Sequence, residues 1–329
     1  MSAIPGSEAP PRGQVVAAMS LIYFVWGSTY LGIRFAIETM PPLLMTGSRF
    51  IIAGALLCAW QWQQGAARPT RIHWRSAVII GGLMVLGGNG GVTWAVQRVP
   101  SGLAALMIGA VPIWIVMLDW LLFDGARPNR RMALGLTGGL TGLALLIGPA
   151  EFAGGDRIDP VGAVVLIGAA ISWSVGSLYS RRVQLPNPPL LATGLEMLAG
   201  GLLQIIVGTL FGEWSKLDPG GISLRSAVAL GYLSLFGSLV AFSAYTWLLR
   251  HTTPVRAASY AYVNPVVAVL LGWALAGEEL TLRTMLAAAV IIGSVVVITS
   301  FRAQQGPRPR SRPADTPLAA APSEACAGK

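Results

Sequence analysis

Pro41-Pro42-Leu43-Leu44-Met45-Thr46-Gly47 returns 147 residues later as Pro188-Pro189-Leu190-Leu191-Ala192-Thr193-Gly194. The same shift carries Trp26 onto Trp173, Leu31 onto Leu178, Arg34 onto Arg181, Gly54 onto Gly201 and Leu56 onto Leu203. Farther along, a shift of 153 places Trp94 on Trp247, Pro112 on Pro265, Trp120 on Trp273 and Arg130 on Arg283. The six-residue difference fits most easily in the segment around Lys216. The chain repeats itself, so the content of one copy decides the fold.

Each copy consists almost wholly of apolar runs. Of the 329 residues, 54% are hydrophobic and only 11% charged, less than half the roughly 25% charge of a soluble domain. Such a chain cannot coat a water-exposed surface, which excludes a soluble enzyme, a disordered protein and a nucleic-acid binder. Crossing a hydrocarbon core takes about twenty apolar residues. The qualifying segments are 15–37, 41–63, 75–96, 101–123, 130–149, 160–181, 188–212, 224–249, 256–277 and 281–301. The expected fold is all-α and integral to the membrane, with ten transmembrane helices. The first segment lacks a small-residue cleavage pattern and is expected to stay as a helix.

Charge gives the direction. With both termini and the loops after helices 2, 4, 6 and 8 in the cytoplasm, that side collects 16 of the 23 Lys and Arg, among them Arg68, Arg71, Arg75, Arg130, Arg131, Arg181 and Arg182. The positive-inside rule therefore places both termini in the cytoplasm. Since each copy holds an odd number of spans, the second enters from the opposite side, which makes the copies inverted repeats. The expected organisation is a cytoplasmic segment 1–14, a first repeat 15–149, a second repeat 160–301 and a basic, disordered cytoplasmic tail 302–329. Inverted repeats are typical of secondary transporters, whose halves rock about a midplane site.

Polar and aromatic residues within the spans are the candidates for such a site. Helix 1 offers Trp26, Ser28 and Tyr30; helix 3 offers Asn89, Thr93 and Trp94; helix 6 offers Trp173 and Ser177. Helix 8 adds Tyr245 and Trp247, and helix 9 adds Tyr260, Tyr262 and Asn264. An aromatic cavity with scattered hydroxyls suits a small amphipathic solute. Matched prolines, Pro112 and Pro265, predict kinks in helices 4 and 9. Arg49 and Glu196 are equivalent under the 147 shift and carry opposite charge, so a structural bridge or gate between them is expected. Asp119 lies one turn from the cytoplasmic end of helix 4, where it can reach the interface or serve as a candidate proton-coupling carboxylate, and Arg34 is expected to snorkel to the interface. Gly87-Gly88-Asn89-Gly90-Gly91 lies mid-span, where glycines allow close helix packing rather than cradling phosphate. Cys58 and Cys326 are poorly placed to pair, and His73 and His251 lack ligand-spaced neighbours. No catalytic constellation, metal site or cofactor motif is expected.

Trp26-Gly27-Ser28-Thr29-Tyr30, Pro41-Pro42 and Gly47-Ser48-Arg49-Phe50 resemble the opening of the EamA-type repeat of the drug/metabolite transporter superfamily. Val263-Asn264-Pro265 and Gly277-Glu278-Glu279-Leu280-Thr281 resemble its ending. Within that superfamily, Asn89-Gly90, Pro100-Ser101-Gly102 and Ser259-Tyr260-Ala261-Tyr262-Val263-Asn264-Pro265 are most similar to the YedA-like inner-membrane group. The resemblance implies a multi-pass protein of the bacterial inner membrane, a central cavity lined by helices 1, 3, 4, 6, 8 and 9, and efflux of small metabolites, amino acids or drugs. The expected partners are a small-molecule substrate and the lipid bilayer. An importer or facilitator fits the same fold. A non-transporting sensor or scaffold is the alternative from another class, though the short loops offer no output domain. Oligomeric state is left open by the sequence.

Overall fold

The computed structural model describes residues 12–123, 125, 127–147, 159–251 and 260–304, and these are helical with no strands. We label the helices α1 (Arg12–Ala36), α2 (Pro42–Gln63), α3 (Arg71–Ala95), α4 (Ser101–Leu122) and α5 (Arg130–Ile147). They continue with α6 (Pro160–Ser180), α7 (Pro189–Leu210), α8 (224–251), α9 (Tyr260–Ala276) and α10 (Leu282–Gln304). Among the described residues, seven helices are long and apolar enough to cross a membrane: α1 to α4, α6, α7 and the Leu224–Tyr245 part of α8. Val263–Ala276 and Leu282–Ile298 are shorter apolar helices. The terminal segment 1–11 and most of the tail expected at 302–329 lie outside the described residues.

Local chemistry sets the helix ends. Pro42, Pro160 and Pro189 stand in the first turns of α2, α6 and α7, where a missing N–H costs nothing and φ is already helical. Thr70 caps α3 reciprocally with His73: its hydroxyl accepts from the His73 N–H at 3.4 Å, and its own N–H donates to His73 Nδ1 at 3.3 Å. That cap starts α3 four residues earlier than the expected 75. At the other extreme, Gly277 adopts φ +66° and stops α9, a backbone conformation that glycine alone reaches without penalty.

Helices α2 and α7 cross at glycines. A methyl group built on Gly47 would lie 3.0 Å from the Gly201 carbonyl oxygen, and one on Gly201 would lie 2.9 Å from that of Gly47. One on Gly54 would lie 2.7 Å from the Gly194 carbonyl. Because Gly47 corresponds to Gly194 and Gly54 to Gly201, the two contacts exchange under the repeat. Small residues let backbones approach closely inside a membrane, where dispersion rather than the hydrophobic effect holds helices together. Gly135 and Gly142 of α5 similarly receive Ile298 and Ile291 of α10. Leu106, Ile113, Leu166, Leu233 and Ile291 fill the main core, whereas Leu134, Leu210 and Trp62 face outward.

One end of the bundle is tied by polar contacts. Arg225 pairs with Glu38 at 3.3 Å, Arg98 with Asp159 at 3.4 Å, and the Ser226 hydroxyl donates to the Phe35 carbonyl at 2.8 Å. Glu213 accepts from the Leu43 and Leu44 N–H groups at 3.0 Å each. Ends of odd-numbered helices thus meet starts of even-numbered ones.

The helical ladder is not uniform. Over Gly81–Gly90 of α3 and Leu233–Val240 of α8 it opens to the wider i→i+5 spacing, and the two stretches occupy corresponding places in the repeats. Such wide turns are rare and tend to mark functional positions. Neighbouring side chains engage the backbone in both. Ser172 donates to the Leu83 carbonyl at 2.7 Å, Gln204 to the Val85 carbonyl at 2.8 Å, and Trp26 to the Gly237 carbonyl at 3.1 Å. The glycines of α3 also admit α6, since Gly87 and Gly88 face Ser172 and Trp173.

Candidate functional site

Three rings from α8 and α9 gather around Trp26 of α1. Its centroid lies 5.3 Å from Phe242, 5.2 Å from Tyr245 and 4.9 Å from Tyr260, while Tyr245 and Tyr260 meet edge to face at 5.6 Å. Tilted and edge-to-face geometries suit the ring quadrupoles. Gly27 makes the gathering possible: a methyl there would stand 2.6 Å from Val267 Cβ and 3.2 Å from the Asn264 carbonyl oxygen, so α1 lies directly on α9. The Asn264 amide faces the carbonyls of Tyr260 and Tyr23 at 3.2 Å each, so its nitrogen is assigned to that side, where it can donate to both. Trp247 packs beside the same rings, against Ile22 and Leu248.

A polar layer adjoins the rings at the wide stretch of α8. Trp26 Nε1 donates to the Gly237 carbonyl, and the hydroxyls of Ser28 and Tyr232 share a 2.6 Å hydrogen bond. Arg49 reaches across from α2, where its Nε donates to Ser238 Oγ at 2.9 Å. Trp26, Ser28, Tyr245, Trp247, Tyr260 and Asn264 therefore share one region of α1, α8 and α9. Tyr232, Gly237, Ser238 and Phe242 join them, although the sequence offered no reason to single out Tyr232, Gly237 or Phe242.

The remaining expected site residues fall elsewhere. Thr93 is wholly buried, accepts from Thr46 Oγ1 at 3.0 Å and donates to the Asn89 carbonyl at 2.9 Å. It thereby holds α3 to α2. Asn89 Nδ2 donates to the Met84 carbonyl at 3.5 Å. Trp94 lies under the Arg98 guanidinium at 4.9 Å, towards the helix end. Trp173 packs on Gly88, and Ser177 donates back to the Trp173 carbonyl at 2.8 Å. Tyr30 packs against the main core. The side chain of Tyr262, and Ser259 altogether, lie outside the described residues.

The expected charge pair is not formed: Arg49 bonds Ser238, and no ion pair joins it to Glu196. The helix crossing supplies the reason. Arg49 and Glu196 each lie two residues past a crossing glycine, Gly47 and Gly194, which turns them about 200° around their helices and away from the contact. Arg34, expected to snorkel, has a side chain 40% exposed in the last turn of α1 and stands 3.9 Å from Glu278. Asp119 is half-buried at the end of α4, where its carbonyl accepts from the Phe123 and Gly125 N–H groups at 3.2 and 2.8 Å. The two prolines behave differently. The α-helix of α4 is interrupted at Ala110, just before Pro112, whereas α9 runs through Pro265 without a break. A separate cavity of about 300 Å³ is lined by Gln61, Gln64, Gly65, Ala66, Ala67, Asn187 and Pro188 and holds none of the expected site residues.

Known proteins share this organisation. The model of the EamA-like transporter family matches twice, over residues 14–148 and 160–300. The Escherichia coli K12 protein described as "Uncharacterized inner membrane transporter YedA" is 41% identical over 283 residues, covering 86% of this chain and 89% of the relative. The Bacillus subtilis "Uncharacterized transporter YoaV" is 23% identical, covering 87% and 97% of the two chains. A solved crystal structure, 22% identical with a TM-score of 0.60, covers 90% of this chain and 99% of its own and shares the fold.

Proposed function

The chain belongs to the EamA-like transporter family, a multi-pass protein of the inner membrane, and from that premise we propose that it is a secondary transporter exporting small amphipathic metabolites or drugs by alternating access. Amino acids and related compounds are the first solutes to test. All ten helices cross the bilayer in this reading. The polar ties at one end of the bundle, where odd helices finish and even ones begin, support alternating directions. Arginine sorting then puts both termini in the cytoplasm.

The observation that carries the proposal is the ring cluster around Trp26, set beside a stretch of α8 with an open hydrogen-bond ladder. Rings supply a broad apolar face for a solute, and adjacent hydroxyls and carbonyls fix its orientation. The reciprocal crossing of α2 and α7 supports a pseudo-two-fold axis, about which two halves exchange roles. The wide stretches of α3 and α8 are then the natural places for the helices to bend between inward-open and outward-open states.

Release of radiolabelled amino acids and of a cationic dye from proteoliposomes tests this reading. Release above that of protein-free vesicles supports transport, and acceleration by an imposed pH gradient supports proton coupling with Asp119 and Glu196 as the carboxylates to mutate. No release of any solute in either orientation of gradient would favour a sensor or scaffold.

A further inference from the structure

Arg49 is the most demanding group in the described membrane interior. It is only 4% exposed, and its guanidinium Nη1 is buried without a hydrogen-bond partner. Among the described residues its one hydrogen bond is to a neutral hydroxyl, Ser238 Oγ at 2.9 Å. A guanidinium carries five N–H donors and stays charged. Beside that serine the guanidinium has the Phe50 ring, 4.9 Å from its Cζ, and neither supplies a counter-charge, so much of its desolvation cost stays uncompensated.

The surroundings hold the guanidinium beside the ring cluster. Gly237 gives it room, since a methyl there would stand 3.1 Å from both Arg49 Nη2 and Thr29 Cγ2. The carbonyl of that same glycine accepts from Trp26 Nε1, so Arg49 and Trp26 meet at one residue of the wide stretch of α8. A planar fork with unspent donors, bordered by an aromatic wall, matches a carboxylate borne on a compact apolar body.

We infer that Arg49 recognises the anionic group of the transported solute, so that this site selects organic carboxylates over their neutral isosteres. The inference rests on the transporter reading above. Ser238 is a positioning residue, holding Nε so that the Nη edge stays available. The bound carboxylate supplies the counter-charge that the protein withholds, which makes the loaded site electrically satisfied and the empty one costly. Such a difference between loaded and empty sites is what a carrier needs if its solute is to bias the exchange between states.

The test uses the full chain in phosphatidylcholine nanodiscs with two probes of one shape, 3-phenylpropionate and 3-phenylpropionamide, and binding measured by calorimetry. The acid is expected to bind about tenfold more tightly than the amide or better, as a charge-assisted hydrogen bond warrants. Arg49→Gln removes that preference, Arg49→Lys keeps part of it, and Ser238→Ala weakens acid binding several-fold while sparing the amide. Equal affinities in the unmodified protein, a preference that survives Arg49→Gln, or no binding of either probe overturns the assignment. The wild-type comparison needs no variant and stands even if Arg49→Gln fails to fold. Flux of the same probes separates the two readings. Acid-selective binding without flux keeps the Arg49 site and removes transport, whereas flux of the amide as fast as the acid keeps transport and removes the site.

Discussion

The carboxylate of Glu278, in the turn after α9, accepts from the N–H and hydroxyl of Ser101 at 2.6 Å each and from the Gly102 N–H at 2.9 Å. One side chain thus satisfies orphan donors in the first turn of another helix, α4, and places negative charge at its positive end. Arg34 of α1 stands 3.9 Å from the same carboxylate. Three helices that are far apart in sequence are joined there. Glu213 does the same for α2 through Leu43 and Leu44.

Glu278→Ala is expected to lower stability by about 1–3 kcal/mol, the cost of leaving such buried donors unmet. Glu278→Gln, which keeps an acceptor but loses the charge, should fall between the two. Thermal unfolding of the three proteins in one detergent checks the order. Equal midpoints for wild type and Glu278→Ala would contradict it.

The α2–α7 crossing predicts a pattern rather than a single loss. Gly54→Ala and Gly201→Ala each push a methyl against partner backbone, which cannot turn aside as a side chain can, and each is expected to cost about 1–3 kcal/mol. Gly168→Ala meets nothing within 4 Å and should be neutral or slightly stabilising through helix propensity. The same unfolding assay reads all three.

Acid sensitivity should trace partly to Asp159, at the start of α6. The Gly162 N–H, at 2.7 Å, is the largest influence holding its carboxyl below the usual range, with Arg98 adding to it. A carboxyl depressed in the folded state contributes stability that is present above its unfolded value near 4 and is lost as the pH falls through its folded value. Asp159→Asn is therefore expected to flatten the acid limb of the stability profile below about pH 4. An unchanged limb would show that other groups govern it.

Much of this architecture was legible because punctuation is local. Segment 41–63 matches α2 and 188–212 nearly matches α7, since proline in the first turn and glycine after the last one are read directly from sequence. Trp26, Tyr245 and Tyr260 could be picked out as aromatic residues within apolar segments, and the structure brings their rings together. The Arg49–Glu196 geometry was not legible, because equivalence under a two-fold axis says which residues exchange, not which touch. Contact belongs to residues on the axis-facing side, and those are glycines. The wide turns of α3 and α8 carry no local signature either, as they depend on backbone contacts from other helices such as those made by Gln204 and Trp26. Glu213 was overlooked for the same reason: its partners lie 170 and 169 residues away.

The ring cluster is the centre of the functional account, and Trp26 is its hub. Trp26→Phe keeps an aromatic face but removes the donor to the Gly237 carbonyl, whereas Trp26→Ala removes both. The most direct measurement is solute release from proteoliposomes for wild type, Trp26→Phe and Trp26→Ala, with the exposed Trp273→Ala as the control. The account predicts release well above protein-free vesicles for wild type and Trp273→Ala, an intermediate rate for Trp26→Phe and a loss of tenfold or about that for Trp26→Ala, the loss of one well-placed contact of about 1.4 kcal/mol. Release by a properly folded Trp26→Ala protein at the wild-type rate would contradict it.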